Sequence, residues 1–328
     1  MENYRCCGMD AFRIMCCLGV LTYHTMQYAP SVFFGGVATL MYYGASFCVP
    51  GFFLLSGYLL GRRQTMSREY IEQKLTDTIA KLILWVAFWI IAFFILSGEV
   101  KDLWENVALS FNMRGILPVA WFLFPYCIFL VLAYPLWYIC KKSPMRFTAV
   151  SFMWILILEF AVRAGQMKSG VQSRWLCRYF AYFMLGMALS YFFEWLTARV
   201  SWKIQFSTAG VFALLGAVVF AKSIYADAFQ RLPDFYYGRW FYSIWLLCLF
   251  WVCKLLPIRS GKVQRYLAVI SKNTLVVYLG HLPVLQKCIQ YWPIDTTWKA
   301  IVYLVVLFIG FEILAEGFKK MPLFRKLV

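Results

Sequence analysis

The sequence predicts an all-α, polytopic membrane bundle with about ten transmembrane helices. Of its 328 residues, 62% are hydrophobic and only 14% are charged. A soluble domain needs roughly a quarter charged residues to keep its surface wet. Aromatic residues reach 20%, with 14 Trp and 21 Tyr, the types that gather where an apolar ring with one polar atom meets the membrane–water interface. The third observation is a series of apolar runs, each near the length of about 20 residues that a helix needs to span the hydrocarbon core.

The runs cover 9–28, 40–61, 80–97, 119–140, 147–165, 176–195, 204–222, 239–256, 269–290 and 299–317. Acidic Glu2 and Asp10 precede or enter the first run, and Tyr28-Ala29-Pro30 is a poor cleavage site, so the first helix is expected to be retained. Pro50 interrupts the second run and Pro283 the ninth. A membrane helix tolerates such prolines where a neighbour or water satisfies the freed carbonyl. Trp121 opens the fourth run. Residues 1–328 are expected to form one membrane domain, without repeats or low-complexity tracts.

Ten spans put both termini on one side. That side holds 20 of the 32 Lys and Arg residues and the other side holds 11, with Arg13 inside the first span. The positive-inside rule then predicts that both termini are cytoplasmic. The net charge of +17 is explained by this topology and by anionic lipid head groups, so nucleic acid is not an expected partner. The 11 cysteines lie mostly within apolar runs. Their spacing suits neither a zinc site nor a disulfide framework, and no metal is expected.

An ionisable residue inside a membrane helix costs several kcal/mol unless it is paired or wetted, so each one is a functional candidate. The first run has three. Asp10 and Arg13 are three residues apart on one face and can form an ion pair. Arg13 and His24 are eleven apart, three turns plus roughly 20°, so they face the same way about 16 Å apart along the axis. This arrangement suits a long anionic ligand that enters from the cytoplasm and reacts deep in the membrane. A histidine near a helix end is equally a hydrogen-bonding partner, and a lone arginine can be a snorkelling anchor. The chain, however, has only two histidines, and both are in apolar runs. The second, His281, lies in Tyr278-Leu279-Gly280-His281-Leu282-Pro283. In the second run, Gly51, Ser56 and Gly57 permit close helix approach.

These residues resemble the acyltransferase-3 family of bacterial integral membrane acyltransferases. Its first helix carries an acidic residue, an arginine three later and a histidine after ten more residues, as in Asp10, Arg13 and His24. Its second helix is matched by Val49, Pro50, Phe52, Phe53, Ser56, Gly57 and Tyr58. Trp121-Phe122-Leu123 with Pro135, the run from Arg178 to Gly186, and Tyr278 to His281 follow in family order, so the resemblance covers nearly the whole chain.

The resemblance implies about ten membrane helices in the bacterial cytoplasmic membrane. It also implies transfer of an acyl group, often acetyl from cytoplasmic acetyl-CoA, to an extracytoplasmic sugar, polysaccharide or lipid-linked glycan. The expected partners are the lipid bilayer, acyl-CoA and the glycan acceptor. His24 is then the general base, since a neutral imidazole suits that task near pH 7, or it relays the acyl group itself. Arg13 would hold a phosphate or pantetheine carbonyl of the donor, oriented by Asp10, with Arg62 and Arg63 as charge attractors. Ser56, Arg178 and His281 are further candidate substrate contacts. Many family members carry closely spaced arginines just before the third helix, whereas this chain has Lys74 and Lys81. Some members add a soluble esterase-like domain; these 328 residues contain none, so the acceptor is expected to react at the membrane domain. Transport of a small polar or glycan substrate is the alternative, since broken helices and buried charges also mark transporters. A structural subunit without chemistry is a third reading. The enzyme reading expects a continuous path from the cytoplasm to His24.

Overall fold

A computed structural model describes residues 6–29, 36–98, 101–112, 114–163, 171–228, 240–322 and 324–328. Regular structure among them is entirely helical. The helices are α1 (Cys7–Met26), α2 (Val37–Gly44), α3 (Cys48–Gly61), α4 (Arg68–Ser97), α5 (Leu103–Phe111), α6 (Leu123–Lys142), α7 (Pro144–Arg163), α8 (Val171–Thr197), α9 (Trp202–Ala228), α10 (Trp240–Leu255), α11 (Gly261–Tyr291) and α12 (Thr297–Lys320). Among the described residues, seven helical segments are long and apolar enough to cross a membrane, and two shorter apolar helices, in α7 and α10, join them. Helix α1 is not among the seven because Asp10, Arg13 and His24 dilute its apolarity. The chain is an all-α polytopic membrane bundle, with a helix at each predicted apolar run. Below, the end of the bundle where α1 begins is called proximal, and the end near His24 distal.

Several boundaries differ from the hydropathy pattern, each for a local reason. The second span is two helices, α2 and α3, joined by a 3₁₀ turn at Ala45–Phe47. Pro50 falls in the first turn of α3, where its missing N–H would have had no helical partner anyway. Helix α4 begins at Arg68 rather than near residue 80. The Ser67 side chain caps it by accepting from the Tyr70 amide at 3.2 Å, and Arg68 pairs with Glu72 at 2.9 Å one turn on. Hydropathy sees only the apolar part of such a helix. Gly98, at φ 72°, ends it in the left-handed conformation that favours glycine. Helix α11 likewise gains a polar proximal section and runs unbroken through Pro283. A short helix not expected from the sequence, α5, has Asp102 as its N-cap, accepting from the Glu105 amide at 2.6 Å.

Two packing relationships position the site. First, α1 runs through the middle of the bundle, against α2, α3, α10, α11 and α12. Second, α3 and α8 make the most extensive helix pair, because their backbones nearly touch. A methyl group at Gly57 would collide with the Phe183 carbonyl, and one at Gly186 with the Leu54 carbonyl. Small residues are what let membrane helices approach this closely. At the proximal end, residues 324–328 fold back onto α4 and α12: Phe324 stacks on Phe318 of α12 at 5.3 Å, and Trp85 Nε1 of α4 donates to the Leu327 carbonyl at 3.1 Å.

Candidate active site

The site begins with a seam between α1 and α11. Arg13 Nη1 donates to Ser271 Oγ at 3.5 Å. Further along, the Cys17 thiol contacts the Thr274 carbonyl at 3.7 Å. At the distal end the rings of His24 and His281 lie 5.2 Å apart. Both helices advance in the same direction by almost the same number of residues, so they run parallel and side by side. Arg13 and His24 thus share the face that the 3.6-residue period assigns them.

Beside the proximal half of this seam is a cavity of about 400 Å³, within the size range of ligand pockets. Its wall carries four cationic side chains, Arg13, Lys74, Lys81 and Lys272, against one carboxylate, Asp77. Ser56, Thr78, Ser271, Thr274 and Tyr126 add polar groups. An excess of positive charge attracts anions, and hydroxyls in the wall offer hydrogen bonds to them. Lys81 Nζ also donates to the main-chain oxygen of Val328 at 2.9 Å, so the folded-back segment forms part of the rim.

The inner end of the cavity is apolar. Phe52, Phe122 and Tyr278 line it, with ring centroids 5.5 to 6.1 Å apart, and Tyr278 is pinned by its hydroxyl, which donates to the Val119 carbonyl at 2.8 Å. His24 is not among the described residues that line this cavity, which reaches Tyr278 and Leu279. The ring of His281 stands only 6.2 Å beyond that of Tyr278.

At the imidazole pair, His281 Nδ1 lies 3.1 Å from the Val277 carbonyl. A carbonyl can only accept, so Nδ1 must carry the proton, and a neutral His281 presents a bare Nε2. That Nε2 is buried without a hydrogen-bond partner among the described residues, as is Nδ1 of His24. His24 itself is partly exposed. Tyr23 packs edge-on against it at 5.1 Å and stacks on Tyr42, whose hydroxyl donates to that of Tyr23 at 2.8 Å. A bare imidazole nitrogen such as Nε2 of His281 can accept a proton, which is the chemistry that hydroxyl activation needs.

The acyltransferase-3 family profile, described as an acyltransferase domain, matches residues 8–315. The chain belongs to the acyltransferase-3 family. No curated protein and no solved structure matches it. Every acyltransferase-3 candidate named from the sequence lies within the matched range, and the second-helix motif now has a physical reading. Phe52 closes the cavity and Ser56 lines it. Phe53 stacks on Tyr179 at 4.9 Å, Gly57 meets the α8 backbone, and Tyr58 is buried against Phe250 at 5.1 Å. The later run from Arg178 to Gly186 is the other half of the same contact, with Tyr182 hydrogen-bonded to Ser243 at 2.8 Å.

Other sequence candidates lie elsewhere. Asp10 is buried near the proximal end of α1, one turn before Arg13. Arg62 and Arg63 are exposed and outside the cavity lining. Arg63 lies over the Tyr70 ring at 3.7 Å and Arg62 over the Tyr58 ring at 5.7 Å. Arg178 is buried in α8, away from the cavity lining. Lys74, Lys81 and Lys272 instead supply the positive wall. Lys74 and Lys81 occupy the stretch before the third span where many family members have arginines, a positional signal that was present in the sequence.

Proposed function

We propose that the chain transfers an acyl group, acetyl from cytoplasmic acetyl-CoA, to a hydroxyl of an extracytoplasmic sugar, polysaccharide or lipid-linked glycan. The observation that carries this reading is the cationic cavity whose apolar end stops one ring short of the His24–His281 pair. In this reading the proximal end, with both termini, faces the cytoplasm of a bacterial cell. The excess of basic residues on that side supports the orientation.

The donor's phosphates sit among Arg13, Lys74, Lys81 and Lys272, and the acyl thioester points past Phe52 and Tyr278. His24 takes the proton of the acceptor hydroxyl as its oxygen bonds to the acyl carbon. The carbon–sulfur bond breaks, and the proton goes to the departing thiolate, leaving an ester and free CoA. A histidine that accepts the acyl group first and then passes it on satisfies the same balance in two steps. Asp10, one turn before Arg13, orients its guanidinium, and Ser56 lines the donor cavity. Arg178 is a further candidate substrate contact.

The test is transfer of labelled acetyl from acetyl-CoA to membrane glycan by the full chain in proteoliposomes. The wild-type chain labels the glycan, and His24→Ala inserts normally but does not. Equal labelling by His24→Ala removes His24 from the mechanism.

A further inference from the structure

We propose that Trp89 is a positioning residue for this transfer: its indole N–H holds the one carbonyl of α11 that Pro283 leaves without a helical donor. The proposal rests on the reading of His24 and His281 as the reacting imidazoles.

Proline has no N–H, so within a helix the carbonyl four residues earlier loses its partner. In α11 that carbonyl is Leu279's. Leu279 is fully buried, and a buried carbonyl left unpaired is unfavourable. Trp89, itself buried in α4, supplies the missing donor at 3.3 Å from Nε1 to the Leu279 oxygen. A rung inside α11 is thereby replaced by a bond between α4 and α11.

The location gives that replacement its consequence. His281 lies between Leu279 and Pro283, in the segment spanned by the missing rung. Tyr278 and Leu279, at the start of that segment, line the inner end of the cavity. On the other partner, α4 brings Lys74, Asp77 and Lys81 to the cavity wall. One hydrogen bond therefore ties the helix that lines the anion cavity to the helix segment that aims His281. A purely packing role for Trp89 is the competing explanation, since its ring also contacts Phe88 at 5.4 Å and Phe93 at 6.3 Å.

A double-mutant cycle separates the two. Trp89→Phe keeps a ring and removes the N–H. Pro283→Ala restores a backbone N–H to Leu279 from within α11. With the full chain in proteoliposomes, Trp89→Phe is expected to lower kcat by roughly 10-fold or more, the effect of stranding a buried acceptor, with KM for acetyl-CoA unchanged. In the Pro283→Ala background the same substitution is expected to have no effect. An equal loss in both backgrounds overturns the proposal in favour of packing, and so does no loss in either. Should Pro283→Ala fail to insert, amide hydrogen exchange over residues 277–285 decides. Faster exchange in Trp89→Phe at unchanged melting temperature supports the proposal, and unchanged exchange overturns it. If the wild-type chain transfers no acyl group, the reading of the site falls, while the exchange measurement still shows whether Trp89 holds this carbonyl.

Discussion

The rings of His24 and His281 lie 5.2 Å apart, and the Val277 carbonyl fixes the proton of His281 on Nδ1. The two imidazoles are not equivalent. His24 is partly exposed, whereas His281 is wholly buried, so an incoming hydroxyl reaches His24 first. Removing a general base lowers kcat by about 10²–10⁴-fold, and His24→Ala is expected to fall in that range or to abolish transfer. His281→Ala is expected to lose less. Rates for both variants check this, and the reverse order makes His281 the base.

Donor affinity is expected to depend on the cavity wall. Arg13→Ala removes a charged hydrogen-bonding group, worth about 1.5–3 kcal/mol, so KM for acetyl-CoA should rise by roughly 10- to 100-fold with a smaller change in kcat. Lys74→Gln, Lys81→Gln and Lys272→Gln should act in the same direction and weaken the salt dependence of KM. Arg62→Ala and Arg63→Ala change exposed residues outside the cavity and should shift KM much less. A loss at Arg62 or Arg63 equal to that at Arg13 would move donor binding to the loop between α3 and α4.

Much of this was legible from the chain. The apolar runs gave the spans because burial in lipid demands length and apolarity, and the eleven-residue spacing put Arg13 and His24 on one face because helix period is fixed. Gly57 and Ser56 were visible as a close-packing motif. What hydropathy could not supply was direction. Lys74 reads as a loop charge because it precedes an apolar run, and only the proximal extension of α4 turns it toward a cavity. The apolar closure by Phe52, Phe122 and Tyr278 joins three separate helical regions, and no local pattern encodes that contact. The bond from Trp89 to Leu279 has the same character: Pro283 announces a freed carbonyl, but only the fold says which donor takes it.

The α3–α8 contact predicts a stability effect separate from catalysis. Gly57→Val places a branched side chain against the Phe183 carbonyl, and such overpacking costs about 1–3 kcal/mol or more. The melting temperature in detergent should fall by several degrees, and Gly186→Val should do the same from the opposite helix. Because each substitution breaks the same contact, the double variant should lose less than the sum of the two. Additive losses would mean that the two glycines act in different places.

Tyr278 gives the last prediction. Its ring lines the cavity and lies 5.5 Å from Phe122 and 6.2 Å from His281, and its hydroxyl is tied to the Val119 carbonyl. If a thioester binds as proposed, a ring at this point would keep it apart from the imidazoles until the acceptor is in place, one of the recognised uses of a shielded site. Tyr278→Ala removes the ring and joins the cavity to the imidazole pair. The expected result is acetyl-CoA hydrolysis without acceptor, together with lower transfer to glycan. Tyr278→Phe keeps the ring but frees it from Val119, so hydrolysis should rise less. Free CoA release in the absence of acceptor measures both variants. If Tyr278→Ala releases no more CoA than the wild-type chain, the ring is not the barrier between donor and base.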